Sequence, residues 1–444
     1  ADYVNASPTR IRLYSDSSNS WDTLFSYTTN GLLSAVTNAN GNWARCEYDS
    51  LGRVNGIQPA LGPAVTLSNN VLGFVEKITL PGDSGNRITT IGANELGWVT
   101  NVLYPDGLSE RALMDAMGNV TNHVDTAGRT TRLTWLPTRK LSSVSRQLGT
   151  TNLTTSVAYD QQFNTLNITD EKGRAVESYQ LDLEDRPISV TNLEGQTMSL
   201  SWAVGSFLNS VTRFDGTVVS NTFNSDGFLS SIAYPDATIQ LSCLKNGLLK
   251  TAGNGLGVIT NNWSFANRLT SQAQVVPSGT VSYTYWPAGH LSNVTSVAGS
   301  TTYTLDAADR FSSLSSSFAP SAPLVFNFSY GTNNGLVSSM TCTNTGIVAS
   351  YGFDVMDQLT NLVWTGPTGN VLRSFAYAIN NAGMITNVAH DDGSRTEYTL
   401  DDLDRLTGEK QINAVGITNL EQHFTYDEVG NRLTKILDGA TVSY

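Results

Sequence analysis

The phrase "YDSLGRV" fills residues 48–54, and "YDEVGNRL" returns at 426–433. Asp favours the first position of a tight turn, and Gly favours the position that needs a left-handed backbone. Aligned on Gly52, two residues before an apolar residue, the same turn recurs nineteen times between Gly31 and Gly430. Those anchors span 399 residues in 18 intervals, about 22 residues each, with a range of 20 to 26. Seven anchors replace the glycine: Arg139, Asn164, Asp185, Asn267, Asp309, Asp357 and Asp404. Apart from Arg139 these are Asn and Asp, the residues that best tolerate a left-handed conformation after Gly. A chain built this way can bury its apolar surface only by stacking like units on like units.

A second turn follows about ten residues after most anchors, as in "TNANGN" (37–42), "DTAGRT" (125–130), "DEKGRA" (170–175) and "HDDGSR" (390–395). The segments between turns alternate apolar and polar, as in "RTTRLTWL" (129–136), "ATIQLSCL" (237–244) and "VSYTYW" (281–286). Period-two alternation rich in aromatic and β-branched residues predicts strands. One unit is therefore strand, turn, strand, turn, and the chain is all-β. Residues 1–24 read as an N-terminal lead-in, and 25–444 as the repeat array.

The fullest copies are "YDSLGRV" (48–54), "DAMGNV" (115–120), "YDQQFNTL" (159–166), "LDLEDRPI" (181–188), "LDAADRF" (305–311), "LDDLDRL" (400–406) and "YDEVGNRL" (426–433). They resemble the YD repeats of the Rhs (rearrangement hotspot) and YD-repeat superfamily, over essentially the whole chain. The resemblance implies one continuous antiparallel sheet of hairpins that spirals into a hollow shell or tube. In Rhs effectors and the C components of insecticidal ABC toxin complexes such a shell surrounds a toxic C-terminal segment. In teneurins a similar barrel serves adhesion. Roughly 38 strands at about 4.8 Å make a ribbon on the order of 180 Å long. That closes one ring about 58 Å across, or two turns of about half that width. Toxin-carrying members end in a self-cleaving core rich in Asp-Pro. No Asp-Pro pair occurs here, and the sequence stops in mid-repeat at "LDGATVSY" (437–444), so neither protease residues nor a toxin are carried over.

The net charge is −12 and Lys and Arg are scattered singly, which argues against a nucleic-acid partner. No apolar run is long enough for a membrane span. Cys46, Cys243 and Cys342 lie far apart without CxxC spacing and read as buried free thiols rather than disulfides or metal ligands. His390 with Asp391, Asp392, Asp401, Asp402 and Asp404 could serve a weak calcium site, but the carboxylates fall at repeat turns and read as turn caps. No HExxH or GxSxG occurs, and no singular carboxylate pair stands apart from the repeat pattern.

The expectation is a protein with no catalytic residues, no cofactor and no metal. Its important positions are structural: Tyr48, Asp49, Gly52, Asp115, Gly118, Tyr159, Asp160, Asp182, Asp185, Asp306, Asp309, Asp401, Asp404, Tyr426, Asp427 and Gly430. Two functions fit. One is the wall of a secreted, bacterial-type Rhs protein that encloses or shields a polypeptide cargo such as a C-terminal toxin segment. The other is an extracellular fibre, tube or adhesion module, with further copies of itself, a cell surface or a glycan as partner.

Overall fold

The computed structural model describes residues 2–4, 7–14, 20–82, 85–275, 277–318 and 322–444. These residues hold 41 strands and no helix, from β1 (Asp2–Val4) to β41 (Ala440–Ser443). Each strand pairs antiparallel with the next in sequence, and no ladder joins β1 to β41. The result is one sheet that hydrogen bonds do not close. The 24/25 boundary falls inside β3 (Ser20–Tyr27), which pairs with β2 (Ser7–Tyr14) as part of that same sheet.

The sequence alternation sets the two faces. Along β23 (Thr238–Cys243), Ile239, Leu241 and Cys243 are half-buried while Thr238, Gln240 and Ser242 are exposed. Along β27 (Gly279–Tyr285), Val281, Tyr283 and Tyr285 are half-buried while Thr280, Ser282 and Thr284 are exposed. Hydroxyls pair across the exposed face, as Thr134 with Ser143 at 2.7 Å and Thr425 with Thr434 at 2.7 Å. The three cysteines are free and half-buried, not buried as the sequence suggests, because the apolar face itself is only half covered.

A bulge recurs at each anchor. The pairing slips by a residue between Glu47 and Tyr48, Thr134 and Trp135, Ala158 and Tyr159, and Thr425 and Tyr426. A bulge bends its strand and increases the local right-handed twist. Repeated on one edge in every unit, it curls the ribbon in one direction.

The curl brings distant turns together. The turn from β4 (Leu33–Thr37) to β5 (Trp43–Tyr48) meets the one from β29 (Gly299–Leu305) to β30 (Phe311–Phe318). The turn from β16 (Thr165–Thr169) to β17 (Ala175–Leu181) meets the one from β39 (Thr418–Tyr426) to β40 (Arg432–Leu437). One coil therefore takes 25 strands at the first contact and 23 at the second. At about 4.8 Å per strand, a coil is roughly 115 Å around and about 37 Å across. The interior is not filled. Among the described residues only Leu153, Val190, Ala349, Ile412 and Phe424 are buried apolar side chains, and no large side chain is fully enclosed. The sheet is a hollow spiral of between one and two coils.

Candidate functional site

The anchor turn is built by its aspartate. Asp49 Oδ1 accepts from the backbone N–H of Leu51 and Arg53 at 2.9 and 3.0 Å. The Gly52 N–H donates to the Asp49 carbonyl at 3.0 Å, with Gly52 at φ +78°. The same double capping occurs at Asp115, Asp160, Asp182, Asp306 and Asp401. At Asp427 the carboxylate accepts from the Asn431 backbone and amide. These bonds favour the ionised form, and they lower the pKa values of Asp49, Asp115, Asp182 and Asp427. At Asp49 the Arg53 N–H leads, at Asp115 the Asn119 amide, and at Asp182 the Arg186 guanidinium. Asp185, Asp309 and Asp404 occupy the glycine position with φ near +60°. At the seventh anchor the left-handed residue is Phe163 at φ +64°, not Asn164. Asp160 caps the positions two and four residues on, so the left-handed residue must be the third whatever its type. Asn164 instead donates to Asp160 and Asp185. Gly118 and Gly430 hold the left-handed position at φ +84° and +93°.

Ring and guanidinium then tie one repeat to the next. Tyr48 Oη donates to the Leu33 carbonyl, Tyr159 Oη to Leu141 and Tyr426 Oη to Leu406, each at 2.7 Å. Where the ring is an indole, Trp135 Nε1 reaches Val120 and Trp202 Nε1 reaches Pro187, both at 2.7 Å. Each acceptor is the first residue of the strand that follows the previous anchor turn, beside its bulge. The arginine four residues after the aspartate points the other way. Arg53 Nη1 donates to the Asn70 carbonyl at 2.7 Å, and Arg405 Nη1 to Asp427 at 2.8 Å. Arg310 and Arg405 lie over the rings of Tyr330 and Tyr426, 4.0 and 5.0 Å from their centroids. Each repeat is thus held backward by its ring and forward by its arginine. Tyr48→Phe removes one such bond while keeping the ring, so it is expected to cost about 1 kcal/mol in chemical denaturation. No loss at all would show that the Leu33 carbonyl is satisfied elsewhere.

Between coils the hydrogen bonds and ion pairs come from turns and strand ends, not from ladders. Arg129 Nη1 donates to Asp404 Oδ1 at 2.8 Å while its Nε holds Asp125 at 2.8 Å. Lys172 Nζ lies 2.6 Å from Asp427 Oδ2, and Arg87 Nη1 lies 2.7 Å from Asp357 Oδ1. The Asn38 and Asn40 amides donate to Asp309, and the Ala288 N–H donates to Asn40 at 3.0 Å. Thr126 Oγ1 donates to the Asn381 carbonyl at 2.6 Å. These hydrogen-bonded partners lie 248 to 275 residues apart in sequence. In every case a second-type turn of the first coil meets an anchor turn of the second. The Asp427 side chain is 8 % exposed. Hydrogen bonds from Lys172, and then from Asn431, hold its pKa down at about 2.

The sequence picks out Asp309, Asp404 and Asp427 as turn residues, and the structure places all three at this seam as well. It brings Tyr48, Asp49 and Gly52 together in one turn, and Tyr426, Asp427 and Gly430 in another. Sequence reasoning missed Arg87, Arg129, Lys172, Asn38 and Asn40. Among the described residues no group of three or more His, Cys, Asp or Glu side chains gathers as a metal site would require. No helix is long and apolar enough to cross a membrane.

No family model matches the sequence, and no curated protein matches it. Solved structures do. The crystal structure of TcdB2-TccC3-Cdc42 aligns with 98 % of this chain at a TM-score of 0.75 and 12 % identity. The chain has an Rhs-type shell fold. The crystal structure of TcdB2-TccC3-TEV aligns with 99 % of the chain at a TM-score of 0.75 and 13 % identity. A Photorhabdus luminescens Tc holotoxin pore with a substituted TccC3 aligns with 96 % at 0.68 and 12 % identity. The chain spans about a quarter of the length of these neighbours, 27, 27 and 26 % respectively.

Proposed function

We propose that this chain is a non-catalytic wall, a stretch of Rhs-type shell that encloses or shields a polypeptide cargo in a secreted bacterial protein. The observation that carries the reading is the seam. A sheet used only as a flat adhesive surface has no need to hold its second coil against its first. Here ion pairs and hydrogen bonds join five turns of the first coil to five turns of the second around the spiral. A sealed seam turns a ribbon into a barrier. The anchor aspartates, the glycine positions and the Tyr or Trp rings then act as the fastenings of that barrier, and no residue turns over a substrate. No cofactor is needed, and the acidic surface disfavours nucleic acid.

The test is protection. A protease-sensitive polypeptide fused after Tyr444 is expected to survive limited proteolysis while the same polypeptide free in solution is cut. Single-particle electron microscopy is expected to show a central lumen. Equal cutting of both, with a solid particle, would remove the wall reading. An extracellular tube or adhesion module is the second reading, favoured by the exposed apolar turn tips Leu51, Leu72 and Leu96 along one rim.

A further inference from the structure

One position of the anchor turn, two residues after the capping aspartate, sits at the tip. In the second coil this tip is occupied by Ala288, Ala308, Met356 and Leu403, all half-buried against turns of the first coil. In the first coil no turn of the described residues lies over it. There the same position carries Leu51, Leu72, Leu96 and Met117, which are 74, 60, 65 and 42 % exposed. The change from bare to covered falls where the second coil begins to overlie the first, at Arg268 stacked 4.2 Å from the Trp21 ring. Consecutive anchor turns are two strands apart, about 10 Å, so the four bare tips form an arc of roughly 30 Å. Val71 and Phe74 widen it. Beyond it the same position turns polar, with Thr138, Gln162, Glu184, Asp226 and Asn246, while Leu183 and Val204 stand exposed singly in their turns. An unbroken apolar row, at a position half-buried wherever another course of turns is present, marks an interface.

We infer that this arc docks the opposite rim of a second copy of the chain, so that molecules stack end to end along the coil axis. The seam supplies the geometry: there, anchor turns of one course meet second-type turns of the next. The opposite rim of the molecule is the unpaired course of second-type turns. Its exposed apolar tips include Leu256, Val297, Val415 and Ile417. The two rims are the two halves of one contact, separated by the height of the spiral. Such a contact is head-to-tail and does not close, so it builds rods of constant width. This goes beyond the wall reading, since a wall can enclose a cargo without stacking.

The experiment is sedimentation velocity of the full chain over a concentration series, with electron microscopy of the same samples. The expected result is concentration-dependent oligomers seen as end-to-end rods. Because the contact is apolar, sulfate salts should strengthen it. The double variant Leu72→Asp/Leu96→Asp should sediment as a monomer at every concentration with an unchanged far-UV spectrum. A second double variant on the other rim, Val297→Asp/Val415→Asp, should do the same, so a folding failure in one pair leaves the other to decide. A wild-type chain that stays monomeric throughout overturns the inference. So do oligomers that both variants leave intact, or association that salt abolishes. A monomeric particle that still shows a lumen keeps the wall reading while the stacking fails.

Discussion

Gly118→Ala is expected to destabilise its hairpin by more than Gly128→Ala does. Both glycines hold a left-handed backbone, at φ +84° and +82°, so the conformational cost of a Cβ is the same at each. That cost is about 1–3 kcal/mol for a residue without special stabilisation of the left-handed region. The surroundings differ. A Cβ on Gly128 meets nothing within 4 Å. A Cβ on Gly118 falls 2.8 Å from the Trp98 ring, closer than real Cβ contacts allow. Trp98 stands in the slot that Arg53 fills in its own repeat, reaching forward over the next turn. Displacing a large ring from a packed position adds roughly 1–3 kcal/mol. Denaturant melts of the two variants beside the parent give the comparison. Because each repeat pairs its strands only with those of its neighbours in sequence, the damage should stay local at first. Hydrogen exchange should therefore speed up around residues 98–120 before the rest of the sheet responds. Equal costs at the two positions would show that Trp98 moves freely and that the forward reach is not a fastening.

The hairpins were legible in the sequence because their causes are local. An aspartate that caps the N–H groups two and four residues on, a residue that accepts a left-handed backbone, and alternating side chains can all be read within 22 residues. Phe163 shows how far that reading goes. The eye seeks an Asn or Gly near the anchor and settles on Asn164, but the capping geometry of Asp160 counts three residues and stops at Phe163. The seam was not legible. Which turns meet depends on curvature summed over more than twenty strands, and each bulge contributes a little bend that no local phrase encodes. One signal was present all the same. The second-type turns at Arg87, Arg129 and Lys172 carry cations, and the anchor turns at Asp357, Asp404 and Asp427 carry acids. The two sets pair at a nearly constant offset of roughly 250–275 residues, which is the length of one coil written in charge.

Opening that seam without unfolding the sheet is the second expected result. In Lys172→Ala/Arg129→Ala, the Asp427 and Asp404 carboxylates lose their cross-coil partners. The strands keep every ladder bond, since among the described residues no ladder crosses the seam. Small-angle scattering should therefore report a larger radius of gyration at neutral pH while the far-UV spectrum stays that of the parent. Acid should act on the parent in the same direction. Asp427 has its pKa depressed from 3.8 to about 2, with the Lys172 hydrogen bond as the leading cause. A group whose folded pKa is depressed contributes stability above its unfolded value and loses it as pH falls through the folded one. The Asp427 latch is thus fully engaged above about pH 4 and released as the pH approaches about 2. The turn aspartates Asp49, Asp115 and Asp182 are shifted down as well, so their hairpins also gain stability when the carboxylates are ionised and lose it in acid. Salt should loosen the half-exposed Arg129–Asp404 pair more than Lys172–Asp427, because screening is weaker where the carboxylate is shut away from solvent. A radius that does not change down to about pH 2, or a far-UV signal lost together with the expansion, would mean that the coils are not held by these latches. The seam would then be a place where turns touch, and the barrier would have to be sealed by something other than the turns themselves.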